Sequence, residues 1–220
     1  TALVAEMTKR HVTVALSGDG GDELFAGYTR YQWAEMIWRR FGGLPRSVRQ
    51  CLAGAIQSVP RPIWSMAERI LPVGISAGRL GERAAKLAYY MSRADPDAVY
   101  RAQHSHWASP SETVIDGVER KGISWNLDLI RDVPDFTARM QLMDALQYLP
   151  DDVLTKVDRA TMAVGLEARV PLLDHRLVEF AWRLPAGMKW REGRSKWILR
   201  HILYNYVPSD LIDRPKTGFA

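Results

Sequence analysis

The sequence predicts a mostly α-helical chain with one or two strands, the later part of an α/β domain. Three observations carry that expectation. Residues 11–17 are apolar and β-branched and run into a serine–glycine turn, as a strand does. Helical periodicity then recurs from Asp22 to Tyr206. No second run matches the first strand in clarity, which suits the latter portion of an α/β domain better than a whole one.

The elements follow in order. From Asp22 a helical pattern runs through Tyr31, Trp33, Ile37 and Trp38, and Gly42-Gly43-Leu44-Pro45 stops it. Residues 46–58 read as an amphipathic helix with Val48, Leu52, Ala55 and Ile56 on one side, broken by Pro60 and Pro62. Further helices are expected over 63–71, 79–93 and 95–107, with Pro96 at an N-terminal position. Residues 108–135 mix turns and short helices. Residues 136–163 carry the longest helical signal, which Pro150 and the acids Asp151 and Asp152 are expected to split. A loop over 164–171 leads to Asp174, the expected N-cap of a helix ending near Leu184-Pro185. Helices over 195–206 and after Pro208 complete the series. Tryptophans at helical positions, such as Trp33, Trp38 and Trp182, are expected mostly in the core.

Composition narrows the function classes. Hydrophobic residues make up 47% and charged residues 25% of 220, which is ordinary globular usage. No apolar run is long enough for a membrane helix, and the first residues lack a signal-peptide layout. The one cysteine, Cys51, excludes an intrachain disulfide and a thiolate metal site, so a reducing, cytoplasmic setting is expected. The net charge of +5 comes from scattered arginines without a basic block, so neither a nucleic acid nor a membrane is expected as a partner. His104 and His106 form an HxH pair with no third ligand nearby and read as surface residues. Thr1 at the start and Phe219 near the end give both termini the look of cuts, so a fragment of a longer protein is expected.

The chemistry concentrates in residues 12–28, VTVALSGDGGDELFAGY. A buried strand, a glycine turn and a helix N-terminus would set backbone N–H groups around an anion. It is neither a Walker A loop nor GxGxxG, because no Gly-Lys-Ser/Thr follows and Glu23 fills the last glycine slot. Asp19, Asp22 and Glu23 contradict a bare anion cradle. A magnesium ion between carboxylate and phosphate would reconcile them. The bland alternative is a polar turn whose acids complement the helix dipole.

SGDGGDELFAGY resembles a conserved block of the synthetase domain of glutamine-dependent asparagine synthetases. So do LPDDVLTKVDRATM (149–162), LEARVPLLD (166–174), GRSKWILR (193–200) and RPKTGF (214–219). The likeness covers residues 1–31 and 136–220 well, while 32–135 is a variable helical stretch. Together they are expected to form one partial synthetase domain over 1–220, of the ATP-pyrophosphatase type with an adenine-nucleotide α-hydrolase-like fold.

The resemblance implies a ligase that uses ATP and Mg²⁺ to convert the side chain of aspartate to β-aspartyl-AMP. Ammonia from glutamine then gives asparagine. It implies that Ser17, Gly18, Gly20, Gly21 and Asp22 bind the nucleotide phosphates, with Asp22 on Mg²⁺. Lys196 matches a catalytic lysine that would stabilise charge as pyrophosphate leaves. Asp19 stands where several members have glutamate, a residue that takes a proton from the incoming ammonia or places the intermediate. Arg194, Asp158 and Lys216 are candidate substrate contacts. Glu167 and Arg169 are expected to form a buried ion pair shaping the loop before Pro171.

Two further parts of such an enzyme, an N-terminal glutaminase domain and a Ser-Gly-Gly-x-Asp-Ser phosphate loop, do not occur in these residues. The 220 residues alone are therefore expected to be inactive or nearly so. A homodimer is a possible assembly. The alternatives are a related carboxylate-adenylating amidotransferase, a β-lactam synthetase-like enzyme, or a non-catalytic helical interaction or nucleic-acid-binding domain.

Overall fold

The computed structural model of the chain describes residues 1–70, 80–105, 114–115, 117 and 122–213. His106 and Lys216 lie outside them. The chain gathers into two compact units, one of residues 1–29 with 137–220 and one of 30–136. Among the described residues no helix is long and apolar enough to cross a membrane.

The first unit opens with α1 (Ala2–Lys9) and β1 (Val14–Leu16). β1 pairs in parallel with β2 (Glu167–Arg169), Val14 opposite Glu167 and Leu16 opposite Arg169. The strand is shorter than expected and it is not buried: Leu16 is 74% exposed. A two-stranded sheet leaves one edge and much of each face of β1 uncovered, whereas buried parallel strands need neighbours on all sides. After the glycine turn comes α2 (Gly21–Leu24), then a separate α3 (Thr29–Phe41). The expected continuous helix from Asp22 to Trp38 is thus broken. The break lies at Ala26, where φ is 51° and a helix cannot continue.

The long helical signal survives Pro150 without splitting. It runs as α9 (Phe136–Met143), a π-helical stretch (Asp144–Leu154) and α10 (Thr155–Met162). Proline lacks an N–H and crowds the carbonyl one turn back, and the wider π turn relieves both problems. Thr155 Oγ1 donates to Pro150 O at 2.8 Å, satisfying a carbonyl in the widened turn.

Asp174 caps α11 (His175–Arg183) as expected, accepting from Arg176 N–H at 2.9 Å. A short α12 (Ala186–Lys189) precedes an antiparallel hairpin of β3 (Trp190–Arg191) and β4 (Arg194–Ser195). α13 (Trp197–Leu203) and α14 (Ser209–Ile212) follow. Leu24, Phe25 and Ala181 are buried at the centre of this unit's core, with Leu173, Leu177 and Ile198 against them.

The second unit holds most of α3 with α4 (Arg46–Gln57), α5 (Arg61–Ile70), α6 (Leu80–Met91), α7 (Pro96–His104) and α8 (Leu127–Asp132). Its α4–α6 core is Ala53, Ala88 and Met91, flanked by Phe41 and Ile56. Of the expected apolar face of α4, Ile56 packs against this core but Val48, Leu52 and Ala55 do not. Val48 and Leu52 are each 42% exposed, and Arg49 is buried instead. The tryptophans also depart from expectation. Trp33 is exposed, Trp38 and Trp182 are half-buried, and among the described residues no tryptophan is fully buried.

Candidate functional site

The loop from Ser17 to Gly21 is a tight, self-bonded turn. Ser17 N–H donates to Arg169 O at 2.8 Å, which fastens the loop to β2. Ser17 Oγ donates to Asp19 Oδ2, and Asp19 N–H returns to Ser17 Oγ at 3.4 Å. Gly21 N–H donates to Gly18 O at 3.3 Å. Gly20 has φ +81°, and a Cβ there would lie 2.4 Å from Leu173 Cδ2, so both backbone and packing require glycine. At Gly18, which is exposed, a Cβ would meet nothing within 4 Å among the described residues, so in their company the crest of the loop is open.

The helix that follows is a single turn, too short for its dipole to serve as the expected anion cradle. The cation comes from elsewhere. Lys196 sits between β4 and α13 with φ 54° and ψ 38°, ahead of the helix rather than in its first turn. Its N–H donates to Phe25 O at 3.2 Å, and its Nζ lies 2.9 Å from Asp22 Oδ1. Both side chains are about a third exposed, at 30% and 32%. Beneath them runs Gly27, whose N–H donates to Asp22 O at 2.8 Å. A Cβ at Gly27 would lie 1.9 Å from Asp22 Oδ1 and 2.3 Å from Lys196 Cε, so the pair closes over bare backbone. Gly27 belongs to the SGDGGDELFAGY block, but only the fold shows what passes over it.

The three carboxylates of the loop do not act together. Glu23 is 1% exposed and points inward, accepting from Tyr28 OH at 2.8 Å. Burial pushes its carboxyl above the ordinary range, and the Tyr28 hydrogen bond offsets this only in part. Gln141 Nε2 donates to Glu23 O at 2.6 Å and ties this turn to α9. That leaves Asp22 and Asp19 half-buried. Among the described residues no three His, Cys, Asp or Glu are placed to hold a metal ion. Magnesium does not require such a set, because one or two carboxylates suffice when phosphate oxygens and water complete the shell. Asp22, beside the open crest at Gly18, fits that donor chemistry.

Around Lys196 the structure gathers residues that no local spacing announces. Arg200 Nη1 lies 2.5 Å and Arg194 Nη1 3.3 Å from opposite oxygens of Asp213. Tyr204 OH donates to Asp213 at 2.9 Å, and Arg200 Nε donates to Ser195 O at 3.0 Å. Arg194, a candidate substrate contact, is therefore already in an ion pair. Asp158 is exposed on α10 and takes no part in these contacts. Glu167 and Arg169 do pair, at 2.7 Å, but their side chains are 55% and 64% exposed rather than buried. They lie on β2, whose only described strand partner is β1, so among the described residues no further strand covers them.

A family model described as asparagine synthase matches residues 1–220. A provisionally named asparagine synthetase (glutamine-hydrolysing) of Mycobacterium tuberculosis is 36% identical over 216 residues, which is 98% of this chain and 31% of that protein. Asparagine synthetase (glutamine-hydrolysing) 1 of Bacillus subtilis is 29% identical over 98% of this chain and 32% of its own length. The human asparagine synthetase (glutamine-hydrolysing) is 42% identical over 72 residues, 31% of this chain and 13% of that protein. The chain thus spans less than a third of the length of these curated relatives. No solved structure matches it significantly. With a match along its whole length, the chain belongs to the asparagine synthase family.

Proposed function

We propose that the chain is part of a ligase that activates the side-chain carboxylate of aspartate with ATP and amidates it with ammonia from glutamine. The products are asparagine, AMP and pyrophosphate. The observation that carries this reading is the Lys196 ammonium 2.9 Å from the Asp22 carboxylate, beside a glycine turn with an open crest. A cation, a hard-metal ligand and an open backbone turn at one place suit a polyphosphate.

The roles follow from the chemistry. An aspartate carboxylate oxygen attacks the α-phosphorus of ATP, the bond to the bridging oxygen breaks, and pyrophosphate departs with that oxygen. Lys196 counters the charge that builds on the phosphate oxygens. Ser17, Gly18, Gly20 and Gly21 line the phosphates. Asp22 would hold Mg²⁺, which when bound supplies further counter-charge. In the second step ammonia adds to the acyl carbon, the acyl–oxygen bond breaks and AMP leaves. The nitrogen must shed a proton, and this reading assigns Asp19 to accept it. Arg194 is a second cationic contact, and Asp158 and Lys216 are substrate contacts. The reading calls for a glutaminase domain and a Ser-Gly-Gly-x-Asp-Ser loop in the intact protein, beyond these 220 residues.

The test is aspartate-dependent exchange of labelled pyrophosphate into ATP by the intact protein. Exchange that requires aspartate and falls at least about 100-fold in Lys196→Met supports the reading. Exchange driven by a different carboxylic acid, with aspartate inert, assigns the other adenylating enzymes instead.

A further inference from the structure

We propose that Arg200, anchored by Asp213, is a positioning residue for Lys196. The proposal rests on the role given to Lys196 above.

Lys196 is a non-glycine residue in the left-handed region, at φ 54° and ψ 38°. Such a conformation is strained for a residue with a Cβ and persists only where neighbours enforce it. Arg200 grips the backbone on both sides of the residue. Its side-chain Nε donates to Ser195 O, the carbonyl just before Lys196, at 3.0 Å. Its backbone N–H donates to Lys196 O, the carbonyl just after, at 3.0 Å. The Lys196 N–H is held in turn by Phe25 O at 3.2 Å, which brings the residue to the turn carrying Asp22.

The grip works only if the guanidinium is itself fixed. Arg200 Nη1 lies 2.5 Å from Asp213 Oδ1, and the two side chains are 29% and 28% exposed. Tyr204, one helical turn after Arg200, donates to the same carboxylate at 2.9 Å. Arg194 reaches the other carboxylate oxygen from the hairpin at 3.3 Å. Asp213 therefore joins β4, α13 and the end of α14 around Lys196, whose ammonium meets Asp22. A planar guanidinium can hold a carbonyl with Nε and a carboxylate with Nη1 at once, and a lysine ammonium at position 200 cannot reproduce that fork.

A residue that acts through Lys196 should matter only while Lys196 is present. The experiment is a double-mutant cycle in the intact protein, measuring kcat and KM for ATP in aspartate-dependent pyrophosphate exchange. Arg200→Gln should lower kcat about 10-fold or more while KM changes far less, because misplacing a charge by an ångström acts on the transition state. Arg200→Lys should recover little. In the Lys196→Met background, assayed at enzyme concentrations high enough to follow its residual exchange, Arg200→Gln should cause no further loss. Asp213→Asn runs through the same cycle, with folding followed by circular dichroism. It serves as the measurement if Arg200→Gln does not fold.

A loss of equal size with and without Lys196 overturns the proposal and leaves Arg200 as a general prop for α13. Wild-type kcat in folded Arg200→Gln overturns it as well. Wild-type exchange in Lys196→Met is a different result: it removes the functional reading, and this one with it.

Discussion

The Lys196 ammonium and the Asp22 carboxylate meet at 2.9 Å across the bare backbone of Gly27. A methyl group at Gly27 would overlap both partners, at 1.9 Å and 2.3 Å, and the hydrogen bond from Gly27 N–H to Asp22 O holds the backbone in place. Gly27→Ala should therefore separate the pair. The expected result is a loss of pyrophosphate exchange of about 100-fold, the size that small misplacements of catalytic groups produce. At Gly18 a Cβ meets nothing within 4 Å, so Gly18→Ala should keep the wild-type melting temperature. Equal exchange in Gly27→Ala and wild type would show that the pair is incidental.

Asp19 and Asp22 are three residues apart, yet the proposed chemistry assigns them to different steps. Asp22 would serve the first through Mg²⁺, and Asp19 the second by taking a proton. Asp22→Asn should raise the Mg²⁺ concentration for half-maximal exchange by about 10-fold or more. Asp19→Asn should leave exchange nearly intact and lower asparagine formation by about 100-fold, as loss of a general base does. Parallel assays of the two half-reactions decide this, and a similar loss of exchange in both variants would contradict it.

Much of this site was legible in the sequence, but by unequal routes. The glycine turn and its acids stand out through composition alone. The link from that turn to Lys196 came only from the likeness to a family, because no spacing rule connects positions so far apart. The break before α3 was not legible: DELFAGYTRYQW keeps helical periodicity, and what stops the helix is tertiary. Phe25 O accepts from Lys196 N–H, and Ala26 takes φ 51°. The burial of Glu23 is hidden for a related reason. A carboxylate in a polar turn reads as facing solvent, and only the packing of Tyr28 and Gln141 shows it turned inward. Asp213 had no local signal, since its partners Arg194 and Arg200 lie in other elements.

The buried Glu23 makes stability depend on pH in a direction opposite to that of a salt-bridged acid. Its carboxyl is raised above the ordinary 4.5 by burial, so the folded state keeps a proton that the unfolded chain has lost. Stability attributable to this group is full below that ordinary value. It declines as pH rises through the folded value and is level beyond it. Glu23→Gln removes the ionisation and can still accept from Tyr28. The variant should gain melting temperature relative to wild type as pH climbs from about 4 to about 8. A difference that stays constant over that range would show that burial does not control this carboxyl.

In the second unit a buried arginine does the work of several caps. Arg49 is 4% exposed and its guanidinium donates to four carbonyls: Leu44 O at 3.2 Å, Met91 O at 3.0 Å, Arg93 O at 2.6 Å and Ala94 O at 3.3 Å. Three of these lie at or just beyond the end of α6, where helical carbonyls lose their intrahelical donors. The guanidinium also stands 5.0 Å from the Trp38 ring. Replacing Arg49 with methionine keeps much of the apolar stem but leaves the buried Met91 carbonyl without its donor and the three part-buried carbonyls to water. One unsatisfied buried acceptor costs about 1–3 kcal/mol and the part-buried ones less, so the expected net loss is about 2 kcal/mol. Arg49→Lys should recover only part of it, because one ammonium cannot reach acceptors spread along two edges of a plane. Urea unfolding of the two variants measures the order. A lysine variant as stable as wild type would mean that the charge, not the fork, holds α4 to the end of α6.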